Sequence, residues 1–378
     1  MTTPRKVSHG RQQTTAIRRT GFGGRTIPRR HQRSPLLLSI CAASVIVLAL
    51  GWWVYRDPSQ SPPSPASTSI PKSPKNLTDL LALAPAQVEK CDIALMNLLC
   101  ADGLPGAEML SADENLATLD QWTERIRSET ERHLYKYHAN PKEFGHSEAY
   151  FRMLLMASVA YADFTVRYNP ARASAPSSAA TADRFFADSK DIFLHGLCGG
   201  RRMGTCSSMP VLYVAIGRRL GYPLKLVTTK SHLFVRWDGP SERFNLEATG
   251  KGMNRYDDEH FKQWPFPVSE EEIQADGYLK SLTPVEELAL FLSLRGHCLK
   301  EAGRLSEAVA AYAAAARWAP GSRAYSALLA DAKAIIHQPS GRQVPNGPSP
   351  AAALSQAALR VPAYAGQPAD PNPLLKLR

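Results

Sequence analysis

The chain has 378 residues and a net charge of +11. Nine of its Lys and Arg residues fall within the first 34 positions, a stretch with no Asp or Glu, so about +2 is left for everything after it. The high charge therefore belongs to a short arm, and a nucleic-acid-binding surface on the folded part is not indicated.

Residues 1–35 read as a basic arm that stays in the cytoplasm. The run 36–55 follows, twenty residues without a charge, spanning roughly 30 Å at helical rise, enough to cross a bilayer core. Trp52, Trp53 and Tyr55 gather at its far end as an interfacial belt. A cleaved signal peptide also begins basic and turns apolar, but its apolar region is shorter and ends at small residues, whereas Trp52-Trp53-Val54-Tyr55-Arg56 stands here. A single retained transmembrane helix is expected, with everything after Tyr55 on the outer side by the positive-inside rule.

Residues 56–76, rich in Pro and Ser, form a semi-stiff linker. Residues 77–183 read as a helical lead-in, with apolar spacings such as Leu77-Leu80-Leu81-Leu83 and Phe151-Leu154-Leu155-Met156-Val159. Its last stretch, Asn169 to Ala182, mixes Ala with Ser and Pro and reads as a loop.

Residues 184–282 carry the chemistry. Met209, Val211, Leu212, Ala215, Ile216 and Leu220 repeat at helical spacing, and Gly221-Tyr222-Pro223 stops the run. Cys206 thus lies at the mouth of a helix with Pro210 in its first turn, where a missing amide donor costs little. Free amides and the positive dipole end favour a thiolate there and would hold a developing oxyanion. Three strands are expected next, Leu224–Thr229, Ser231–Trp237 and Arg243–Thr249, the last two paired through Asp238-Gly239-Pro240-Ser241. His232 stands at the head of the second. In the third, Asn245, Glu247 and Thr249 share one face, which offers two orienting partners for the imidazole.

Each residue alone has a plainer reading. A lone Cys is more often a small buried hydrophobe than a nucleophile, a His at a strand start is usually structural, and a Glu on a strand is usually solvated. Their order and context raise the joint reading of Cys206 as nucleophile, His232 as base and Glu247, or failing it Asn245, as orienter.

These residues resemble the transglutaminase-like superfamily, papain-related in architecture, with a Cys-His-Asp triad. Gly204-Thr205-Cys206, His232-Leu233-Phe234-Val235 and Leu246-Glu247-Ala248-Thr249 occupy the positions of its pattern, with Glu247 where the family has Asp. Asp92-Ile93-Ala94-Leu95, the Leu119-Asp120 helix and the run Phe185 to Cys206 are similar to the lead-in of bacterial members that carry a tetratricopeptide-type repeat after the core. The resemblance spans roughly residues 77 to 330. It implies an α+β fold with a helical lead-in, a short antiparallel sheet and a C-terminal helical repeat. It also implies a thiol enzyme acting on amides, without a cofactor; the topology read from 36–55 makes the chain a single-pass protein of a bacterial inner membrane, so that periplasmic peptides or proteins are the nearest substrates. The competing class is a catalytically idle, membrane-tethered scaffold that recruits a partner.

Residues 283–338 complete that pattern. Gly296, Leu299, Gly303, Ala308, Tyr312, Ala315 and Pro320 fall at the offsets of one 34-residue tetratricopeptide repeat. One copy cannot bury its own apolar face, so it must pack on the helix Ala327–Ile336 or on the catalytic core. Structural capping is the favoured role, with a protein-docking surface as the other. Residues 339–378, rich in Pro, Ala and Gly, are expected to be disordered.

Of the six cysteines, Cys41 lies in the apolar run and Cys91, Cys100, Cys198, Cys206 and Cys298 lie beyond it. Cys91 and Cys100 on one unbroken helix would stand roughly 13 Å apart, too far for a bridge, and no disulfide is assigned. His195, Cys198 and Cys206 offer three metal-type donors, but no Cys-x-x-Cys pair or fourth ligand stands near them, so no metal is expected. Asp257-Asp258-Glu259-His260 reads as a solvated acidic turn.

Overall fold

The computed structural model describes residues 73–172, 185–249 and 253–337. The basic arm, the run 36–55, most of the linker, the greater part of the Asn169–Ala182 loop and the tail lie outside the described residues. Among the described residues no helix is long and apolar enough to cross a membrane.

Among the described residues the lead-in carries the α-helices α1 (Leu77–Leu81), α2 (Pro85–Val88), α3 (Ile93–Ala101), α4 (Ala112–Ala139) and α5 (Glu148–Ala162). Asp92 caps α3 by accepting from the Ala94 and Leu95 amides, and nearly every residue of that helix is buried. An apolar sequence without a polar face has no other stable location. Cys91 stands ahead of the cap, so the two cysteines do not share a helix, and all five described cysteines carry free thiols. The longer α4 buries one stripe, including Leu119, Trp122, Ile126 and His133.

Two-residue strands β1 (Arg167–Tyr168) and β2 (Met203–Gly204) pair in parallel, with Tyr168 opposite Gly204. Between them come the short helices α6 (Ser189–Ile192) and α7 (His195–Cys198). Helix α8 (Met209–Arg219) is buried from Met209 to Gly217 and packs on α3, α4 and the main sheet. It is the beam on which the lead-in and the sheet both rest.

That sheet is antiparallel in the order β3 (Leu224–Thr229), β4 (His232–Asp238), β5 (Arg243–Glu247), β6 (Asn254–Tyr256). Leu226, Val235 and Leu246 belong to the large core shared with α8. On the opposite face Val227 and Phe234 form a small second cluster with Phe261 of α9 (Asp258–Gln263), the Phe234 and Phe261 rings stacking 3.7 Å apart. The register thus gives the sheet two buried faces, with His232 and Glu247 on the α9 side.

The Asp257–His260 segment opens a helix rather than a turn; Asp257 and Glu259 are exposed as expected, but Asp258 has a buried partner. Asp257 caps α9 through the His260 amide, and Asp258 accepts from the fully buried Arg236 at 2.5 Å. A buried guanidinium requires a carboxylate, and the sequence run of acids gives no hint of a partner 22 residues upstream.

After α10 (Glu270–Asp276) come α11 (Pro284–Glu301), α12 (Leu305–Trp318) and α13 (Arg323–His337). At the α11–α12 crossing a Cβ on Gly296 would stand 2.5 Å from the Tyr312 ring, so only glycine allows this approach. The pair packs both on α13 and on the lead-in, where α11 lies against α3. Arg218 of α8 grips the buried Glu287 of α11 through two hydrogen bonds of 2.9 and 2.5 Å. The described architecture is a mixture of helices and two small sheets, with the helices flanking one antiparallel sheet.

Candidate active site

Cys206 lies in the turn Thr205–Ser208 that leads into α8. Ser208 N and Met209 N donate to the Thr205 carbonyl at 3.2 and 3.0 Å, and Ser207 N donates to Thr205 Oγ1 at 3.2 Å. These amides are therefore taken by Thr205, and the expectation that they stay free to face the sulfur is corrected. Two hydroxyls fix the turn from below, Thr205 Oγ1 and Ser208 Oγ donating to the Asp191 carbonyl at 2.7 and 3.1 Å.

Asp191 is itself anchored. Its buried carboxylate accepts from Arg201 (2.5 Å), Arg172 (2.9 Å) and Asn169 (2.7 Å). Gly204 explains the small residue two places before the nucleophile: a Cβ there would meet Ser208 Oγ at 2.5 Å and Leu197 Cδ2 at 2.9 Å.

His232 begins β4 opposite Thr229, after a tight link in which Ser231 has φ 63°. Its Nε2 is 2.6 Å from Glu247 Oε2, and the two side chains are 0% and 1% exposed. The other carboxylate oxygen accepts from the Thr249 amide at 2.8 Å and from the Thr249 hydroxyl. Because Val235 pairs with Leu246, Glu247 is diagonal to His232 rather than opposite it. Diagonal neighbours across a sheet are reached only by long side chains, a physical reason for Glu where the resembling family has Asp.

Asn245 does not contact the imidazole. Its oxygen accepts from Arg236 Nε at 2.6 Å and its nitrogen donates to Asp258 at 2.8 Å, so the fallback orienter is committed to a different network.

Burial opposes a charge on His232, but the Glu247 carboxylate outweighs burial, and with Cys206 also nearby the pKa rises to about 10. Burial likewise raises the Glu247 pKa, and the His232 charge reverses that, leaving it below its ordinary value. The pair is consequently an imidazolium–carboxylate at neutral pH. Nδ1 of His232 is buried and makes no hydrogen bond of standard geometry. Cys206 and His232 line one cavity, and Cys206 is close enough to help hold the ring protonated. A buried N–H without an acceptor is unusual, and catalytic hydrogen bonds are often poorly aligned before substrate arrives. The Trp264 ring packs against the imidazole in a T-shaped arrangement, with centroids 4.6 Å apart.

Three contributors were not legible beforehand: Asp191 beneath the nucleophile turn, Trp264 against the imidazole, and Tyr168. The hydroxyl of Tyr168 lies by the Cys206 main-chain amide; burial first, then the neighbouring Cys206, Glu247 and Asp191, raises its pKa and keeps it protonated. Nothing in Arg167-Tyr168-Asn169 as a string signals this, because it depends on the parallel pairing with β2.

His195, Cys198 and Cys206 do not assemble into a metal centre, and no such group occurs among the described residues. His195 Nε2 faces Ser189 Oγ at 3.2 Å, and burial lowers its pKa to about 4. Burial pushes Cys198 up to about 12, leaving it an inert thiol. Comparison with family models, curated proteins and solved structures finds no match to this chain.

Proposed function

We propose that the chain is a thiol enzyme acting on amides, by hydrolysis or by acyl transfer, with Cys206 as nucleophile, His232 as acid and base, and Glu247 as the group that orients and charges His232. The observation that carries this reading is that His232 is shared: its Nε2 is held at 2.6 Å by the buried Glu247 carboxylate, and the same residue lines one cavity with Cys206, whose side chain helps to hold the ring protonated.

In this scheme the Cys206 proton resides on His232, so the resting pair is thiolate and imidazolium. The thiolate attacks a carboxamide carbon, and the oxyanion takes hydrogen bonds from the Cys206 amide and the Tyr168 hydroxyl. His232 Nδ1–H protonates the departing amine, the C–N bond breaks and a thioester remains on Cys206. The neutral imidazole then takes a proton from water or from a second amine, which attacks the thioester; the C–S bond breaks and the thiolate–imidazolium pair is restored.

The order of a Gly-x-Cys turn, a His heading the next-but-one strand and an acid ending the strand after it supports the transglutaminase-like resemblance. The apolar run 36–55 with its Pro/Ser-rich linker supports a tethered enzyme on the outer side of a bacterial inner membrane, where peptides and proteins are the nearest amide substrates. The test is to incubate the chain with carboxamide-bearing peptides and a primary amine, quench in acid and search by mass spectrometry for a thioester on Cys206. Released acid identifies hydrolysis and incorporated amine identifies transfer. A chain with no Cys206 adduct and no turnover above Cys206→Ala contradicts the reading.

A further inference from the structure

The cavity holding Cys206 and His232 does not end at the nucleophile. It runs on between the sheet and the C-terminal helices, where Leu290 and Leu294 of α11, Leu328 of α13 and Phe185 line it. Its volume is about 180 Å³. A cavity of about 150 Å³ is large enough for benzene, so by volume this one has room for a single ring or a branched aliphatic side chain.

The charge pattern points the same way. Asp276 is the one carboxylate among the described residues of the lining, and no Lys or Arg is among them. Asp276 is already engaged: it accepts from the Ala324 amide at 2.9 Å, capping α13, and Arg323 lies 3.8 Å from its other oxygen. His297 is uncharged at neutral pH, burial lowering its pKa to about 4, and burial raises the pKa of Tyr278 and Tyr325 so that both keep their protons. A charged side chain entering here would lose water, and the charges it could meet are already paired, His232 with Glu247 and Asp276 with Arg323 and the Ala324 amide. An apolar one would lose only water.

We propose that this cavity accepts one apolar side chain, of about the size of a phenyl ring, from the substrate residue beside the reacting carbonyl. The inference rests on the thiol reading of Cys206. It makes α11 and α13 a substrate-selecting surface, a role beyond capping the core, and excludes acidic or basic residues at that substrate position.

The test uses the full-length chain and three alkylating probes, the chloroacetyl derivatives of phenylalaninamide, glycinamide and lysinamide. Each forms a carbon–sulfur bond at Cys206 as chloride leaves, and the rates are read by intact-mass spectrometry. The phenylalanine probe is expected to react about 30-fold faster than the glycine probe, with the lysine probe no faster than glycine. Leu328→Asp is expected to bring the phenylalanine-to-glycine ratio close to one; if that variant fails to fold, the wild-type ratio decides alone. Rapid, His232-dependent labelling that ignores the side chain overturns the cavity proposal and leaves the thiol reading standing. Slow labelling that is indifferent to His232→Ala overturns both.

Discussion

His232 and Glu247 meet at 2.6 Å in a place where neither side chain touches solvent, and the carboxylate, already gripped by Thr249 on its other oxygen, has no freedom to serve another partner. The charge on the imidazole depends on this contact. In Glu247→Gln the ring keeps a hydrogen-bonding neighbour but loses the charge that outweighs its burial. Its pKa, raised to about 10 in the wild type, is expected to fall to ~6.5 or below. Nitrogen NMR of labelled histidine checks this directly; an unchanged His232 titration would show that another group charges the ring.

The same pair makes stability depend on pH. His232 has a folded pKa above its unfolded value, so its contribution is complete below ~6.5 and is lost as pH rises toward 10. Glu247 has a lowered folded pKa, so its contribution is complete above ~4.3 and is lost as pH falls below that. The difference in unfolding free energy between wild type and Glu247→Gln is therefore expected to be largest near pH 5 to 6 and to shrink by pH 10. Denaturant melts at both pH values measure it, and a difference that does not vary with pH contradicts the assignment.

Asn245→Ala separates structure from chemistry. Asn245 joins the buried Arg236 to Asp258, and its loss is expected to cost about 2 kcal/mol because a buried guanidinium loses one of its acceptors. The NMR titration of His232 is expected to stay as in the wild type. A shifted His232 pKa would restore Asn245 as a partner of the imidazole.

Gly204→Ala tests the close approach behind the nucleophile. The added Cβ would lie 2.5 Å from Ser208 Oγ, whose hydroxyl ties the Cys206 turn to Asp191. Overpacking of this kind costs about 1 to 3 kcal/mol, and displacement of the turn is expected to slow Cys206 alkylation as well. A variant as stable and as reactive as wild type would mean that the turn tolerates the shift.

Tyr168→Phe removes a hydroxyl beside the Cys206 amide. If it stabilises the oxyanion, kcat falls about 10- to 100-fold while KM changes little. Equal kcat values would remove Tyr168 from the proposed chemistry.

How much of this was readable follows from the range of the interactions. The α8 helix and the three strands β3 to β5 were legible because periodicity and turn residues such as Gly221-Tyr222-Pro223 act locally. The same alternation placed Asn245 and Glu247 on one face but gave no distance. Choosing between them required the β4–β5 register, which sets Glu247 diagonal to His232 and Asn245 opposite Arg236. Strand β6 was missed because Asn254-Arg255-Tyr256 is three residues long and carries no alternation of its own. Asp258 was taken for a solvated acid because its partner, Arg236, belongs to a different element. Thr205, which takes the amides expected to face the sulfur, shows that a helix start marks a place in the fold without fixing which of its donors remain available.

The central claim is that Cys206 and His232 act as one charged pair. The most direct measurement is the rate of Cys206 alkylation by iodoacetamide between pH 5 and 10, in wild type and His232→Ala. The account predicts that wild-type Cys206 reacts well below pH 8, where an ordinary thiol with a pKa near ~8.5 is mostly protonated, and that His232→Ala reacts at least about tenfold more slowly at pH 6 to 7. Identical pH profiles for the two proteins would contradict it.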